Sequence, residues 1–362
     1  MAIKIVHAAD LHIGSKQAHL GAEAASRAAE LLRGLAAATD YCRDTNADIL
    51  LLAGDIFDIP CPAESDVNYV KDLLAGIPET KVFIAPGNHD YLSPSSPYMG
   101  SWSDNVHIFK RNECIETSGA RIFSAPFTAP YEDAFALPTA VRDDKVNILL
   151  LHADICGGQY NPITEPKIAA TGMDYVALGH VHAPSGIKYA DSVPYAYPGS
   201  LEPLGFDETG DHGIIAGTIS PAGAKLEQIN LSRRRYLEIT IPANNFGSQT
   251  ELLEHIRELL SPHSGNMIKL IIDGESTFSP DKNLIKTQFE DSVYKLKVKD
   301  RTYPAENLPL LRKEQTLKGI FADKMLTIIE NSEGEAKAEA ERALKVGLAA
   351  FAGREVAIYE DK

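Results

Sequence analysis

The segment KVFIAPGNHDYL (Lys81–Leu92) joins a short apolar run to three consecutive polar side chains. An apolar run that ends in Pro-Gly is typical of a buried strand that stops at a turn. Asn and Asp are common in ordinary turns because their side chains hydrogen-bond to nearby backbone. Two interpretations therefore stay open for this segment alone: a plain turn, or a strand end that directs Asn88, His89 and Asp90 into a cleft.

Four further apolar runs end in the same kinds of residue. The runs are IVHAADLH, ILLLAGD, NILLLH and YVALGHVH, and the polar residues at their ends are Asp10, His12, Asp55, His152, His180 and His182. Ligands of α/β sheets bind at the carboxyl ends of the strands, so we expect these side chains to meet at one place. Each residue taken singly is better explained as part of a turn or of the core. That explanation, however, has to hold at five strand ends independently.

The types of side chain in this set indicate the chemistry. Carboxylate, amide oxygen and imidazole suit Mn, Fe or Zn, and no thiolate is offered. Seven such ligands are too many for one ion with open positions and fit two ions. Two ions about 3.5–4 Å apart that share a carboxylate would hold a bridging hydroxide as nucleophile and offset the charge of a phosphate ester.

The order of strand-like and helix-like segments predicts the fold class. The two types alternate along the first part of the chain, which predicts a layered α/β core with parallel strands in the early units. Near Ser232–Pro242 the pattern changes to a small strand–helix–strand module, and helical segments follow the linker Pro304–Pro309. We therefore divide the chain into residues 1–232, residues 233–303 and residues 310–353.

Composition limits the class of protein. The 362 residues suffice for about two domains, and 44% hydrophobic with 23% charged residues is ordinary for a protein with a core. No stretch approaches the roughly 20 apolar residues of a membrane helix, and the N-terminus becomes polar too early for a signal peptide. The four cysteines are scattered, form no CxxC and suggest no disulfide framework, so we expect a cytoplasmic protein. The net charge of −15 argues against tight DNA binding by the chain alone, although local basic patches can still contact phosphates.

The fragments DLH, GDIFD, GNHD, LLH and GHVH, in this order, resemble the calcineurin-like metallophosphoesterases. The resemblance implies two divalent metal ions, each held by three residues of its own and by one residue that they share. The first ion would be bound by Asp10, His12 and His182, and the second ion by Asn88, His152 and His180. Both ions would be bound by Asp55. The resemblance also implies that His89 contacts the phosphate and protonates the leaving oxygen, and that Asp90 orients His89. A histidine suits this role because its pKa lies near working pH.

Other segments resemble one branch of this superfamily. The start HAADLHIGS, the helix that carries Arg27 and the motif GDIFD resemble the DNA double-strand-break-repair exonucleases of the SbcD type, and YPGSLEPLGFDETGDHG (Tyr197–Gly213) resembles the YhaO-like proteins. The resemblance implies a layered αββα two-sheet core, a small α/β capping domain and C-terminal helices. It also implies Mn²⁺ as the metal, a homodimer, and an SbcC-like coiled-coil ATPase as partner. Some relatives have His at the position of Asp58, which leaves the mode of strand processing open.

Two groups of basic residues are candidates for contact with DNA. They are Arg233, Arg234 and Arg235 at the change of pattern, and Lys295, Lys297, Lys299 and Arg301 on one face of a strand with a period of two. Such residues position phosphates without reading sequence. A solvated strand face and a solubilising linker explain them equally well.

A helical segment near the end of the chain, TLKGIFADKMLTIIEN (Thr316–Asn331), carries apolar residues close to helical spacing. Such spacing is typical of a face that packs in a core. At this position it also fits a surface that docks on the ATPase partner.

These observations predict a two-metal phosphodiesterase that acts on DNA as exonuclease and endonuclease, the nuclease subunit of an SbcCD-like DNA end-processing complex. A phosphoesterase of nucleotides or small phosphodiesters would have the same ligands, so only the capping domain and the segment Ser200–Gly213 distinguish it. A metal-free scaffold on the same fold is a third alternative, but every ligand position is filled. The chain has no P-loop sequence, so we expect any ATPase to be a separate protein.

Overall fold

The computed structural model describes residues 2–155 and 157–354 of the protein. The chain divides into two compact units, one that ends at Arg235 and one that begins at Tyr236. In the first unit, the strands are β1 (Ile3–Ala8), β2 (Ile49–Leu52), β3 (Lys81–Ile84), β4 (Val106–Ile108), β5 (Glu113–Glu116), β6 (Ala120–Ala125), β7 (Val146–His152), β8 (Tyr175–Gly179), β9 (Lys188–Ala190), β10 (Val193–Ala196), β11 (Gly213–Ser220) and β12 (Gly223–Asn230). Its helices are α1 (Ala24–Thr45), α2 (Glu64–Ala75) and α3 (Glu165–Thr171), with 3₁₀ turns at Ala18–Glu23 and Pro97–Met99.

These strands form two six-stranded mixed sheets, in the orders β12-β11-β1-β2-β3-β4 and β5-β6-β7-β8-β10-β9. In the first sheet β1 to β4 run parallel, while β11 pairs antiparallel with β1 and with β12. In the second sheet β6, β7, β8 and β10 run parallel, and the edge strands β5 and β9 are antiparallel to their neighbours. Both β2 and β7 are buried along their whole length, as parallel strands covered on both faces usually are.

Three apolar clusters show how the layers are stacked. One cluster joins the facing sides of the two sheets and includes Ile5 from the first sheet and Ile148 from the second. Another packs α1 and α2 on the outer face of the first sheet, and the third packs α3 on the outer face of the second. The order helix, sheet, sheet, helix confirms the layered αββα core.

A buried histidine lies in the layer between the sheets and gives a pH-dependent stability. The Nδ1 atom of His7 is 2.8 Å from the hydroxyl of Tyr175, and burial lowers the pKa of His7 to about 3. Below about pH 6.5 the unfolded chain therefore binds a proton that the folded chain does not, so stability falls as the pH decreases from 6.5 toward 3.

We expect this single histidine to cost about 2 kcal/mol of unfolding free energy between pH 7 and pH 5, at 1.36 kcal/mol per pH unit below 6.5. A His7→Asn variant lacks the titrating group, so its stability should fall less steeply over the same range. Urea unfolding of both proteins at several pH values measures the difference. Parallel pH profiles for the two proteins would contradict the assignment.

A buried network of charged residues ties α1 to two later segments of the first unit. Arg27, which is fully buried, donates from Nη1 to Glu202 (2.7 Å) and to Glu30 (3.0 Å). Its Nη2 donates to the carbonyl oxygen of Pro203 (2.7 Å). Glu30 also accepts a hydrogen bond from Nη2 of Arg234 (2.7 Å). The network therefore pairs each buried charge with an opposite charge.

The second unit combines a small α/β module with a group of helices. Its elements are β13 (Tyr236–Pro242), α4 (Gln249–Leu260), β14 (Met267–Ser276), α5 (Lys282–Phe289), β15 (Lys295–Pro304), α6 (Leu308–Leu311), α7 (Leu317–Glu330) and α8 (Gly334–Phe351), with 3₁₀ turns at Ala243–Asn245, Ser261–His263 and Glu290–Ser292. The three strands are parallel in the order β13-β14-β15. The side chains of Ser248 and Asp281 cap α4 and α5 by accepting backbone N–H groups of the first turn.

The faces of the small sheet follow the predicted period of two. Leu296 and Val298 of β15 pack in an apolar cluster with α4 and α5, so the alternating basic residues of this strand lie on the other face. The helices α6 to α8 share a cluster of their own, in which Phe321 lies against Gly347. Within the described ranges, no helix is both long enough and apolar enough to cross a bilayer.

Candidate metal centre

The predicted ligands lie at the carboxyl ends of strands from both large sheets. They follow or end β1 (Asp10 and His12), β2 (Asp55), β3 (Asn88), β7 (His152) and β8 (His180 and His182). Backbone hydrogen bonds hold the first two turns side by side: Asp10 N donates to the carbonyl of Gly54 (3.1 Å), and His12 N to the carbonyl of Asp55 (3.0 Å). The structure thus brings all seven side chains to one edge of the layered core.

Asp55 lies between two groups of donor atoms. Its Oδ2 is 3.8 Å from Nε2 of His12 and 3.4 Å from Nε2 of His152. Its Oδ1 accepts the backbone N–H of His89 (2.9 Å), which fixes the direction of the carboxylate. This is the place that a carboxylate shared by two cations would have to occupy.

The first group of donors contains Asp10, His12 and His182, whose ligand atoms all lie within 4.8 Å of one another. The Nε2 atoms of the two histidines are 3.1 Å apart. The backbone N–H of His180 donates to both oxygens of Asp10 (3.0 and 3.1 Å), which holds that carboxylate in the site.

The second group of donors contains Asn88, His152 and His180. Oδ1 of Asn88 is 2.8 Å from Nε2 of His152 and 3.3 Å from Nδ1 of His180. Nδ1 of His152 lies 2.9 Å from the carbonyl of Ala53, so it carries the proton and its Nε2 presents a lone pair to the Asn88 oxygen. Two lone pairs that face each other are stabilised by a cation, so the donor set fits a divalent metal ion with oxygen and nitrogen ligands.

Backbone conformation at the site is unusual. Four of the predicted ligands have positive φ angles: Asp10 (53°), His12 (46°), Asp55 (52°) and His180 (107°). Non-glycine residues adopt this region at a cost, and such strain concentrates at functional sites. Gly87 is required for a different reason, because a Cβ atom there would lie 2.3 Å from Oδ1 of Asp55.

Burial and charge divide the histidines of the site into two types. Burial lowers the pKa of His152 to about 3, and burial together with the neighbouring His152 lowers that of His180 to about 4. Burial also opposes the charged form of His182, but hydrogen bonding to Glu208 and the charge of Asp10 raise its pKa to about 9. The second group therefore offers neutral imidazoles, whereas the first group is surrounded by negative charge that attracts a cation.

His89 lies at the exposed rim of the site. Its ring is edge-on to His12 with centroids 4.7 Å apart, and a ring nitrogen lies within 4.8 Å of the ligand atoms of His12 and Asp55. Nδ1 of His89 is 3.1 Å from the carbonyl oxygen of Asp58. A proton on Nδ1 that is donated to this carbonyl leaves Nε2 as the atom that can exchange a proton with a bound molecule.

The predicted role of Asp90 needs a correction. Asp90 is buried, and its carboxylate accepts the backbone N–H of Ile56 (2.8 Å), the backbone N–H of Gly87 (2.7 Å) and the hydroxyl of Tyr98 (2.5 Å). The hydrogen-bond partner of the His89 ring is the carbonyl of Asp58 instead. Asp90 therefore braces the turns after β2 and β3 and does not orient His89 directly.

Two carboxylates behind the first group of donors were not predicted as site residues. Oδ1 of Asp58 is 3.1 Å from Nδ1 of His12, and Oε1 of Glu208 is 2.7 Å from Nδ1 of His182. Asp58 drew notice in the sequence only as a position where relatives differ. Glu208 lies in the segment Tyr197–Gly213, and the resemblance of that segment to the YhaO-like proteins is the sequence feature that could have identified it.

The basic residues at the end of the first unit differ in their contacts. Arg234 forms a close ion pair with buried Glu30, and Arg235 pairs with Asp211. Nε of Arg233 lies 3.3 Å from Oε1 of Glu30, but the Arg233 side chain is 58% exposed. The other predicted DNA-contacting residues belong to β15 in the second unit. The structure thus separates the two basic groups into different units.

The two-sheet core and the candidate metal ligands at one of its edges are the arrangement expected of a metallophosphoesterase. The sequence model of the family described as calcineurin-like phosphoesterase matches residues 3–184, about half of the chain. The chain belongs to this family, and the resemblance seen in the sequence is confirmed.

Several relatives of the chain have names that are more specific than the family description. The chain is 30% identical over 230 residues to the uncharacterized metallophosphoesterase YhaO of Bacillus subtilis (58% of this chain, 56% of that protein). It is 27% identical over 273 residues to the DNA double-strand break repair protein Mre11 of Aeropyrum pernix (68% and 65%). It is 25% identical over 238 residues to a subunit of the nuclease SbcCD of Staphylococcus epidermidis (53% and 61%). The matched part spans between half and two thirds of the length of these relatives.

Proposed function

We propose that the protein is a two-metal phosphodiesterase that cuts DNA as exonuclease and endonuclease, and that it is the nuclease subunit of an SbcCD-like DNA end-processing complex. The observation that supports this most strongly is the position of Asp55, whose Oδ2 faces an imidazole nitrogen of each donor group. A carboxylate shared by two cations is typical of sites that hydrolyse phosphate esters.

In this proposal each donor group holds one ion. The ligands are Asp10, His12 and His182 for the first ion, Asn88, His152 and His180 for the second, and Asp55 for both. Bound divalent ions, which we expect to be Mn²⁺, would supply activated water and neutralise charge on the phosphate. His89 donates a proton from Nε2 to the leaving oxygen, and the carbonyl of Asp58 holds its ring in orientation.

DNA as substrate is supported by the names of two relatives, one a DNA double-strand break repair protein and one a nuclease. From the sequence pattern we assign residues 1–232 to the nuclease domain and residues 233–303 to a capping domain that positions DNA. The second compact unit begins three residues later, at Tyr236, so Arg233 lies at the end of the first unit. Arg233, which is more than half exposed, and the basic face of β15 would contact the phosphate backbone. Arg234 is held by Glu30 and contributes to the fold.

The ATPase partner is supported by exposed apolar side chains on α7. Leu317 is 75% exposed, Ile320 47% and Ile328 46%, whereas Ala322 on the same helix is buried. We propose that this part of residues 310–353 docks on an SbcC-like coiled-coil ATPase. We further propose that the protein works in the cytoplasm as a homodimer.

The test is Mn²⁺-dependent cleavage of end-labelled linear duplex and single-stranded DNA by the wild type and by His89→Ala. Loss of the general acid should lower the rate by about 10²–10⁴-fold. The content of bound metal should stay unchanged, because His89 is not assigned as a ligand. His255→Ala, which removes an exposed histidine of α4, is the matched control and should cut DNA at the wild-type rate.

Other results would change the proposal in defined ways. Unchanged cleavage by His89→Ala would remove the acid from the mechanism. Turnover of a small chromogenic phosphodiester without cleavage of either DNA would move the substrate to nucleotides or small phosphodiesters.

A further inference from the structure

The segment between β10 and β11 delivers a carboxylate to the metal centre although it contributes none of the assigned ligands. Glu208 in this segment is only 5% exposed. Its Oε1 lies 2.7 Å from Nδ1 of His182, on the side of the ring opposite to the ligand atom Nε2. Its Oε2 accepts hydrogen bonds from the hydroxyl of Ser200 (2.6 Å) and from the backbone N–H of Leu204 (2.9 Å). The carboxylate is therefore held in place by groups other than the histidine.

We propose that Glu208 is a positioning residue for His182, and that the segment around it serves to set the metal affinity of the first donor group. This inference rests on the metal centre of the proposed function. A proton on Nδ1 that is donated to a carboxylate leaves Nε2 as the nitrogen that would give up its proton and bind a metal ion. The negative charge behind the ring also makes Nε2 a stronger donor.

The segment is fixed at its start and in its middle, as a positioning role requires. The backbone N–H of Ser200 donates to the carbonyl of His182 (2.9 Å), so the segment and the ligand turn are directly joined. Further along, Arg27 holds the carbonyl of Pro203 (2.7 Å). The backbone N–H of Glu208 donates to the carbonyl of Gly205 (3.1 Å), which closes the turn that ends at Glu208. Each contact limits the movement of Glu208 relative to His182.

The two donor groups differ in what stands behind their imidazoles. In the first group both histidines face carboxylates, since Asp58 lies behind His12 as Glu208 lies behind His182. In the second group Nδ1 of His152 faces a backbone carbonyl, which carries no net charge. Removing the charge of Glu208 should therefore weaken the binding of the ion in the first donor group and leave the binding of the other ion unchanged.

The experiment measures Mn²⁺ binding to the 362-residue chain in two ways, by calorimetric titration and by electron paramagnetic resonance of the bound ion. Wild type is compared with Glu208→Gln, which keeps the size of the side chain without its charge, and with Glu208→Ala. The control is Glu79→Gln, at an exposed position of the same unit. Loss of such a partner typically costs 10–100-fold in metal affinity, so we expect about that loss for one of the two ions. The resonance signal should change from a coupled pair to an isolated ion at intermediate Mn²⁺ concentration.

Thermal unfolding of the metal-free proteins separates positioning from a general loss of structure. We expect Glu208→Gln to unfold within a few degrees of wild type and to lose less affinity than Glu208→Ala. The inference would be overturned if the Glu208 variants bound both ions as tightly as wild type does. It would also be overturned if the affinity for both ions fell equally. A wild type that binds no pair of ions would overturn the proposed centre and this inference together. A wild type that binds two ions and cuts no DNA would overturn only the DNA substrate, because the Glu208 comparison needs no substrate.

Discussion

Replacing Asp55 with alanine should remove both metal ions and lower phosphodiester cleavage on the order of 10⁴-fold or more, because groups that act as a unit are lost together. Oδ2 of Asp55 is the atom that faces both His12 and His152. Oδ1 also accepts the backbone N–H of His89, so the turn that carries His89 loses this hydrogen bond in the same variant. Metal content by elemental analysis and the rate of cleavage of a small diester measure the two effects.

Asp55→Asn separates charge from shape in this prediction. The amide keeps an oxygen for the His89 backbone but removes the negative charge that two cations would share. We expect it to lose metal as the alanine variant does while keeping a fold closer to wild type. Asp72→Ala, on an exposed position of α2, is the control and should keep both ions. Two tightly bound ions in Asp55→Ala would disprove the bridging assignment.

Replacing Arg27 with methionine should destabilise the first unit by about 3–5 kcal/mol, the usual cost of removing one partner of a buried ion pair. Methionine fills much of the volume but leaves the buried carboxylate of Glu202 without its cation. Glu30 keeps Arg234 at 2.7 Å, so the loss falls mainly on Glu202 and on the carbonyl of Pro203. Urea unfolding followed by circular dichroism measures the change.

Two further variants test the cause of that loss. Arg33→Met changes an exposed arginine of the same helix and should alter stability by less than about 1 kcal/mol. Adding Glu202→Gln to Arg27→Met removes the unpaired charge and should restore part of the stability. If Arg27→Met were no worse than Arg33→Met, the network would have no structural importance.

The layered core could be predicted because its strands carry a local signal. The apolar runs before Asp10, Asp55 and His152 are short, continuous and bounded by turns, as buried parallel strands are. Once those strands are taken as neighbours in sheets, their carboxyl ends have to lie together. The family and the αββα class are confirmed, while the metal, the DNA substrate and the ATPase partner remain proposals.

The parts that sequence could not predict depend on contacts between distant segments. Asp90 seemed to belong with its neighbour His89, but its oxygens bond to backbone near Ile56, which only the paired turns bring close. Arg234 reads as part of a basic run, yet its partner Glu30 is 204 positions away. Such contacts depend on the conformation of loops. Loops have no periodic pattern in the sequence, so their conformation could not be predicted from it.

Each donor group takes ligands from both large sheets, since His182 joins residues after β1 and Asn88 joins residues of β7 and β8. The spacing of the ligands is therefore set by the thickness of the apolar layer that separates the sheets. A bulkier side chain in that layer would spread both sets of ligands in the same movement. A change in the packing of the interior would therefore also change the spacing of these ligands, so the core and the candidate metal centre are under a common constraint.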